Sequence, residues 1–228
     1  MSRNTLIGIA AAAIIVIAGL AWWQFSSAPE SKAPQQTADL ADGAQVDLAK
    51  LLEPGPIAEM VLGEADAPIT VVEYASMTCS HCASFHNNIY PAFKEKYVDT
   101  GKVRFIFREF PLDPLATGAF MLARCTGKEN YFPFIEALFH NQESWTRTNE
   151  PVQALFALSR QIGFTEESFD TCLANQQLLN QINAVRDRAE TEFDVRSTPT
   201  FFINGRIARG VQSLQDLERQ FEPYLGPR

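Results

Sequence analysis

Two kinds of hydrophobic pattern alternate along the chain. Short runs of β-branched and aromatic residues predict strands at Met60-Val61-Leu62, at Ile69 to Tyr74, at Val103 to Phe110 with Pro111 as a stop, and at Thr200 to Ile203. Asn204-Gly205 follows the last of these. It is a strong hairpin signal, with Arg206-Ile207-Ala208 as the returning strand. Elsewhere apolar positions recur every three to four residues, which predicts helices. One runs from about Cys79 to Tyr97, kinked at Pro91, and another closes the chain from Leu214 to Phe221. Between them, from about Pro114 to Phe193, the pattern is helical throughout, with segments at Ala119–Cys125, Tyr131–His140, Val152–Ile162, Phe169–Ala174 and Leu178–Glu192. Asp47 to Leu52 reads as a short helix closed by Glu53-Pro54-Gly55-Pro56. An all-helical block flanked by pieces of one α/β sheet reads as an insertion and not as a second domain in tandem.

The N-terminus has a different character. No charge interrupts the Ile/Ala/Val/Leu run from Leu6 to Trp23, Arg3 precedes it, and Trp22 and Trp23 sit at its far end. This predicts a transmembrane anchor with the Arg3 side in the cytoplasm. A cleaved signal peptide is the competing reading, but Pro29 directly after Ser26-Ser27-Ala28 makes a poor cleavage site. Residues 26–45, rich in Ser, Ala, Pro, Gln and Asp, predict a flexible tether of roughly 25 Å as a coil. The rest of the chain is expected outside the cytoplasm, where cysteines can pair.

Composition narrows the partners. The 228 residues are 46% hydrophobic, enough for a full-sized core, and the net charge of −8 argues against nucleic acid or an anionic lipid surface as a main partner. The four cysteines are an even set. Two of them stand in the tetrad Cys79-Ser80-His81-Cys82, where a strand pattern gives way to a helical one. Positions i and i+3 are neighbours on a helix face, close enough for a disulfide. The donors and positive dipole end of a helix N-terminus favour a thiolate on Cys79, the nucleophilic form. A C-x-x-C closes too small a loop to stabilise much, so the pair points to thiol–disulfide exchange. A metal site is the alternative, since Cys79, Cys82 and His86 fall at i, i+3 and i+7. No second C-x-x-C supplies a fourth ligand, so neither a metal nor any other cofactor is expected. His81, as imidazolium or as a hydrogen-bond donor, can stabilise the Cys79 thiolate. Cys125 and Cys172 lie in the helical block without close-spaced partners; a structural disulfide between them is expected over a second redox pair. His86 and His140 receive no role.

Three motifs in order carry a family resemblance: Glu73-Tyr74-Ala75-Ser76-Met77-Thr78-Cys79-Ser80-His81-Cys82, then Arg108-Glu109-Phe110-Pro111-Leu112, then Thr198-Pro199-Thr200-Phe201-Phe202-Ile203-Asn204-Gly205. From about residue 46 to the end the chain resembles the DsbA-like branch of the thioredoxin superfamily, close to its membrane-anchored bacterial members. The resemblance implies a thioredoxin fold with an inserted all-helical domain: residues 1–25 as anchor, 26–45 as tether, 46–113 and 194–228 as the thioredoxin domain, 114–193 as the insert. It implies that Cys79 attacks and Cys82 resolves, that Glu73 is a buried acid exchanging a proton with Cys82, and that Pro199 is cis, bringing the Thr198 backbone toward the sulfurs to pair with substrate. The family often has proline at the position of Ser80. The implied role is an oxidase of exported polypeptides in the periplasm, held at the inner membrane by residues 6–23 (or released if these are cleaved). A quinone-linked DsbB-like membrane protein would reoxidise it, and the chain is expected to be a monomer. A disulfide isomerase or reductase, or a non-catalytic tethered module that binds unfolded chains, are the alternatives.

Overall fold

A computed structural model of the protein describes residues 41–225; the apolar run at Leu6–Trp23 and most of the predicted tether lie outside them. Among the described residues no helix is long and apolar enough to cross a membrane. These residues lie within one compact unit.

The sheet has five strands: β1 (Met60–Leu62), β2 (Ile69–Ala75), β3 (Val103–Glu109), β4 (Thr200–Ile203) and β5 (Arg206–Arg209). Their spatial order is β1-β3-β2-β4-β5, with β2 in the centre. β2 pairs parallel with β3, and all other neighbours are antiparallel. A parallel pair needs a crossover. Here it is helix α2 (Ser80–Asn88), its continuation α3 (Tyr90–Phe93) and a wide π-type turn over Lys94–Val98, while the short α1 (Leu48–Leu51) precedes β1. The expected kink falls at Ile89, two residues before Pro91, whose missing N–H leaves the Asn87 carbonyl without its helical donor. The β4–β5 turn is built on Asn204 (φ 47°) and Gly205 (φ 83°), the left-handed pair a tight hairpin demands. At Gly205 a side chain would also strike the Val46 carbonyl, 2.8 Å from where its Cβ would stand.

Period-two alternation divides the sheet between two cores. Val71, Ala75, Phe105, Phe107, Phe201 and Ile203 face one side with α2 and α3; Val72, Tyr74, Ile106, Phe202 and Ile207 face the other. Glu73 falls on the first face by the same alternation, and is completely buried.

Between β3 and β4 come six helices: α4 (Pro114–Cys125), α5 (Lys128–His140), α6 (Gln142–Thr146), α7 (Pro151–Arg160), α8 (Glu166–Leu173) and α9 (Gln176–Glu192). A last helix, α10 (Leu214–Phe221), packs Leu217 and Phe221 into the first core. The insert is continuous with that core through Phe120, Tyr131, Phe134 and Phe139. Helix α9 serves both layers, with Leu178 and Ile182 in the first core and Val185 and Ala189 under the opposite face of the sheet. Helix α6 was not separated by the periodicity of the sequence; it places Trp145 in the core with its indole N–H donating to the Leu138 carbonyl at 2.9 Å.

A disulfide joins Cys125, at the end of α4, to Cys172 in α8 across 47 positions of sequence. Closing a loop of that length restricts the unfolded chain by up to about 4 kcal/mol. Replacing both cysteines with serine is expected to lower the unfolding free energy by about 2–4 kcal/mol, read from the denaturant midpoint, with the Cys79 titration unchanged. A midpoint unmoved from wild type would show that packing alone holds α4 on α8.

Candidate active site

Strand β2 ends at Ala75, and the chain turns through Ser76, Met77 and Thr78 before α2 begins. Cys79 is the N-cap of α2, with extended backbone (φ −80°, ψ 119°). The turn is fastened from several sides. The Cys79 N–H donates to the Ser76 carbonyl at 3.1 Å. The Thr78 hydroxyl donates to Asp113 Oδ2 at 2.5 Å, while Asp113 Oδ1 caps α4 by accepting the Ala116 N–H at 2.8 Å. From the insert, the buried side-chain amide of Gln142 donates to the carbonyls of Met77 and Cys79 at 2.8 and 2.9 Å. Two segments far along the chain, at Asp113 and Gln142, thus hold one turn.

The two thiols are free and differ in environment. Cys79 is 9% exposed at the surface end of the site, whereas Cys82 is fully buried. The Cys79 pKa falls from an ordinary 9.0 to about 5. The largest cause is the Cys82 thiol, which donates to the Cys79 sulfur; burial, next in size, opposes it, and the Thr198 hydroxyl and the backbone N–H groups of Cys82 and His81 add to the lowering. The neutral thiol makes no cap hydrogen bond of its own, so these helix-terminal donors favour the ionised form specifically. Cys82 moves the other way, pushed well up by burial and then by its bond to Cys79 and the charges of Cys79 and Glu73. One sulfur is ready as a thiolate and its neighbour is held as a thiol.

The Thr198–Pro199 peptide bond is cis, as the resemblance implies. The Thr198 carbonyl accepts from the Cys79 thiol at 3.3 Å. The buried Thr198 hydroxyl has no other partner and is available to the thiolate. Pairing of Tyr74 with Thr200 holds this loop beside the end of β2.

The structure therefore brings Cys79, Cys82, Glu73, Thr198 and Pro199 together. His81 contributes its backbone N–H, and its side chain is exposed. Cys125 and Cys172 are joined to each other within the insert. Among the described residues no group of three or more His, Cys, Asp or Glu side chains is arranged to hold a metal ion. His86, which shares a helix face with Cys82, turns instead to Glu73: its Nε2 lies 3.0 and 3.2 Å from the two carboxylate oxygens. Sequence grouped His86 with the two cysteines only as a candidate metal ligand, and did not single out Gln142. For His86 the available signal was its position four residues after Cys82; for Gln142 there was none.

The Thioredoxin family profile matches residues 56–222. A relative from Rickettsia bellii, provisionally named a protein-disulfide oxidoreductase, is 36% identical over 148 residues, 64% of this chain and 57% of its own. A relative from Rickettsia typhi with the same provisional name is 34% identical over 168 residues, 73% of this chain and 62% of its own. The chain thus spans less than two thirds of the length of these relatives. The crystal structure of Wolbachia pipientis α-DsbA1 matches with a TM-score of 0.72 at 33% identity, over 79% of this chain and 96% of that one.

Thiolate absorbance of the reduced protein is expected to titrate with a midpoint near pH 5, from Cys79 alone, with no second thiolate below pH 9. A depressed thiol pKa stabilises the folded form above that pKa and loses its effect as pH falls through it. The oxidised form has no thiol to titrate. The reduced protein should therefore gain thermal stability over the oxidised protein as pH rises from about 5 toward 9. A difference in melting temperature that stays flat across this window would refute the assignment.

Proposed function

The chain belongs to the DsbA-like thiol–disulfide oxidoreductases of the thioredoxin superfamily, and from that premise we propose that it introduces disulfide bonds into exported polypeptides through the Cys79–Cys82 pair. The observation that carries this reading is the opposite displacement of the two thiols, Cys79 down to about 5 and Cys82 well above its usual value. A stabilised Cys79 thiolate favours the dithiol over the disulfide, which makes the oxidised protein a good donor of disulfides. It is also a good leaving group, so a substrate thiol that attacks the mixed disulfide expels it readily.

In the proposed cycle a substrate thiolate attacks Cys79 Sγ of the oxidised pair. The Cys79–Cys82 bond breaks, and Cys82 leaves with the electron pair and takes a proton from Glu73. A second substrate thiolate then attacks the substrate sulfur of the mixed disulfide, forming the substrate disulfide and releasing the Cys79 thiolate. The backbone at Thr198 and Pro199 offers an edge for an extended substrate segment by strand addition. His81, exposed between the sulfurs, adds positive charge beside the thiolate when protonated. The chemistry needs no metal or organic cofactor.

The setting belongs to the same proposal: an extracytoplasmic domain, residues 46–113 and 194–228 with the helical insert 114–193, tethered at a bacterial inner membrane through residues 6–23. There a quinone-linked DsbB-like protein would draw electrons from the reduced pair. A monomer suffices, since both sulfurs and the substrate edge come from one chain.

The test uses the oxidised protein and a peptide carrying two reduced cysteines. Wild type is expected to transfer its disulfide stoichiometrically, Cys79→Ser to transfer none, and Cys82→Ser, once linked to the peptide, to remain as a mixed disulfide. Acid trapping in cells should find the wild-type pair mainly oxidised. A mainly reduced pair would assign the protein to isomerisation or reduction instead, and a Cys79→Ser protein with undiminished effect on substrates would assign it to non-catalytic binding.

A further inference from the structure

We propose that His86 is a positioning residue that holds the Glu73 carboxylate beside Cys82 and passes between Glu73 and solvent the proton that Cys82 gains and loses in each cycle. This rests on the exchange activity proposed above and adds to it a route for the proton.

Glu73 is 0% exposed and His86 is 5% exposed, with side chains 3.0 Å apart. A carboxylate sealed in a hydrophobic core keeps whatever proton it holds unless a neighbour connects it to water. Both oxygens of Glu73 face the same ring nitrogen, His86 Nε2, so that nitrogen is placed to exchange with either. The ring is fixed in its plane by Phe139 of α5, stacked on it at 4.3 Å and 18°, and by the edges of Phe85 and Phe107. Its other nitrogen, Nδ1, is buried and meets no hydrogen-bond partner. The same is true of the hydroxyl of Tyr90, whose ring lies 4.8 Å from that of His86. Both residues line a groove of about 680 Å³ between the crossover helices and α5. Two unpartnered polar atoms on residues that line a solvent groove are a natural entry for water.

The charges around His86 are few. Glu73 faces it from β2, Cys82 lies one turn earlier on its own helix, and Phe107 and Phe139 bring no charge from β3 and α5. Tyr90 stays neutral, its pKa raised by burial and by the charges of Glu136, Glu73 and Asp99. The groove itself carries Lys94, Glu95 and Asp99 on one wall and Glu136 and His140 on the other, and Lys94 is bonded to Asp99 at 2.7 Å. Glu73 is thus the one carboxylate hydrogen-bonded to His86, and its charge also acts on Cys82.

The proton balance is simple. When the Cys79–Cys82 bond is broken by a substrate thiolate, the electron pair on Cys82 takes the proton of Glu73. That proton reaches Glu73 from His86 Nε2 as Nδ1 takes one from water, so Glu73 is left as the carboxylate. When an oxidant's disulfide has been attacked by Cys79, the Cys82 thiol gives its proton to Glu73 as its sulfur attacks Cys79 and expels the oxidant's thiolate. The proton then leaves by the reverse path.

The experiment follows the reduced full-length protein as glutathione disulfide oxidises it, with acid quenching and mass analysis of the glutathione adduct. Formation of the adduct reports the Cys79 thiolate, and its disappearance reports proton loss from Cys82. His86→Gln keeps an N–H donor for Glu73 but cannot carry a proton. It is expected to leave adduct formation unchanged and to slow adduct resolution about tenfold to a hundredfold at neutral pH. The slowed rate should rise with pH as hydroxide takes over. Glu73→Gln should give the same defect, and the double variant should be no slower than either single, because a relay is lost only once. The relay is overturned if His86→Gln resolves at the wild-type rate across pH 5–8, if it slows both steps alike, or if the two substitutions add. Wild type that forms no adduct would overturn the exchange activity itself, and the relay with it.

Discussion

The structure depends on where one helix begins. Cys79 occupies the N-cap of α2, so the unpaired N–H groups of the first turn meet a sulfur where most helices present an oxygen. Cys82, one turn on, faces inward and loses its water entirely. Two identical side chains three residues apart thereby acquire opposite acid strengths, through donors for one and desolvation for the other. Shifting the helix start by a residue would exchange or erase that difference. Much of the surrounding architecture fixes this single boundary: the Asp113 that ties Thr78 to the cap of α4, the Gln142 amide on two carbonyls of the turn, and the Tyr74–Thr200 pairing that brings the Thr198 carbonyl to 3.3 Å from the Cys79 sulfur.

The helical insert is therefore part of the site and not an accessory placed above it. Its first helix is anchored at the end of β3, where buried Glu109 receives Arg124 at 2.5 Å and the Tyr131 hydroxyl at 2.8 Å. A buried ion pair of this kind adds little net stability, because desolvation offsets most of the attraction. It does fix the direction in which α4 and α5 leave the sheet. That direction puts Phe139 on the ring of His86 and leads into α6, from which Gln142 reaches the turn. The Cys125–Cys172 disulfide ties α4 to α8 within the same block.

What the sequence made legible was local. Strand bounds at Met60–Leu62 and Thr200–Ile203 followed from β-branched and aromatic runs between turn residues, the Asn204-Gly205 turn from its need for two left-handed residues, and the helix start at Cys79 from a change of period. The burial of Glu73 was implied only by the resemblance, because its strand is apolar on both faces and alternation leaves the side open; the folded chain puts it on the face of Val71 and Ala75. Its partner was not legible. His86 is 13 residues away and comes to Glu73 only because α2 crosses over β2 at one particular angle, a property of packing that no local pattern encodes. Gln142 is remoter still, and a glutamine at a helix start carries no signal. The position of His81 within the tetrad drew attention to its exposed imidazole, and the fold adds a contribution the sequence did not suggest, its backbone N–H on Cys79. The anchor predicted at Leu6–Trp23 from its hydropathy pattern lies outside the described residues.

The Glu73–His86 pair shows how function departs from stability in this core. Both side chains sit among Phe85, Tyr90, Phe105, Phe107 and Phe139, where apolar residues of the same volume would cost nothing in desolvation. A paired carboxylate and imidazole there are at best neutral for folding. Removing one partner would leave the other buried without compensation, at a cost of several kcal/mol. A pair whose net contribution to folding is small, placed where the charge of Glu73 acts on Cys82, fits the proton route proposed for it. The thiolate on Cys79 needs only donors, which the helix provides. The thiol at Cys82 needs a base that rests as a carboxylate in both redox states, and on the proposed relay His86 gives the buried Glu73 a path for its proton to and from water.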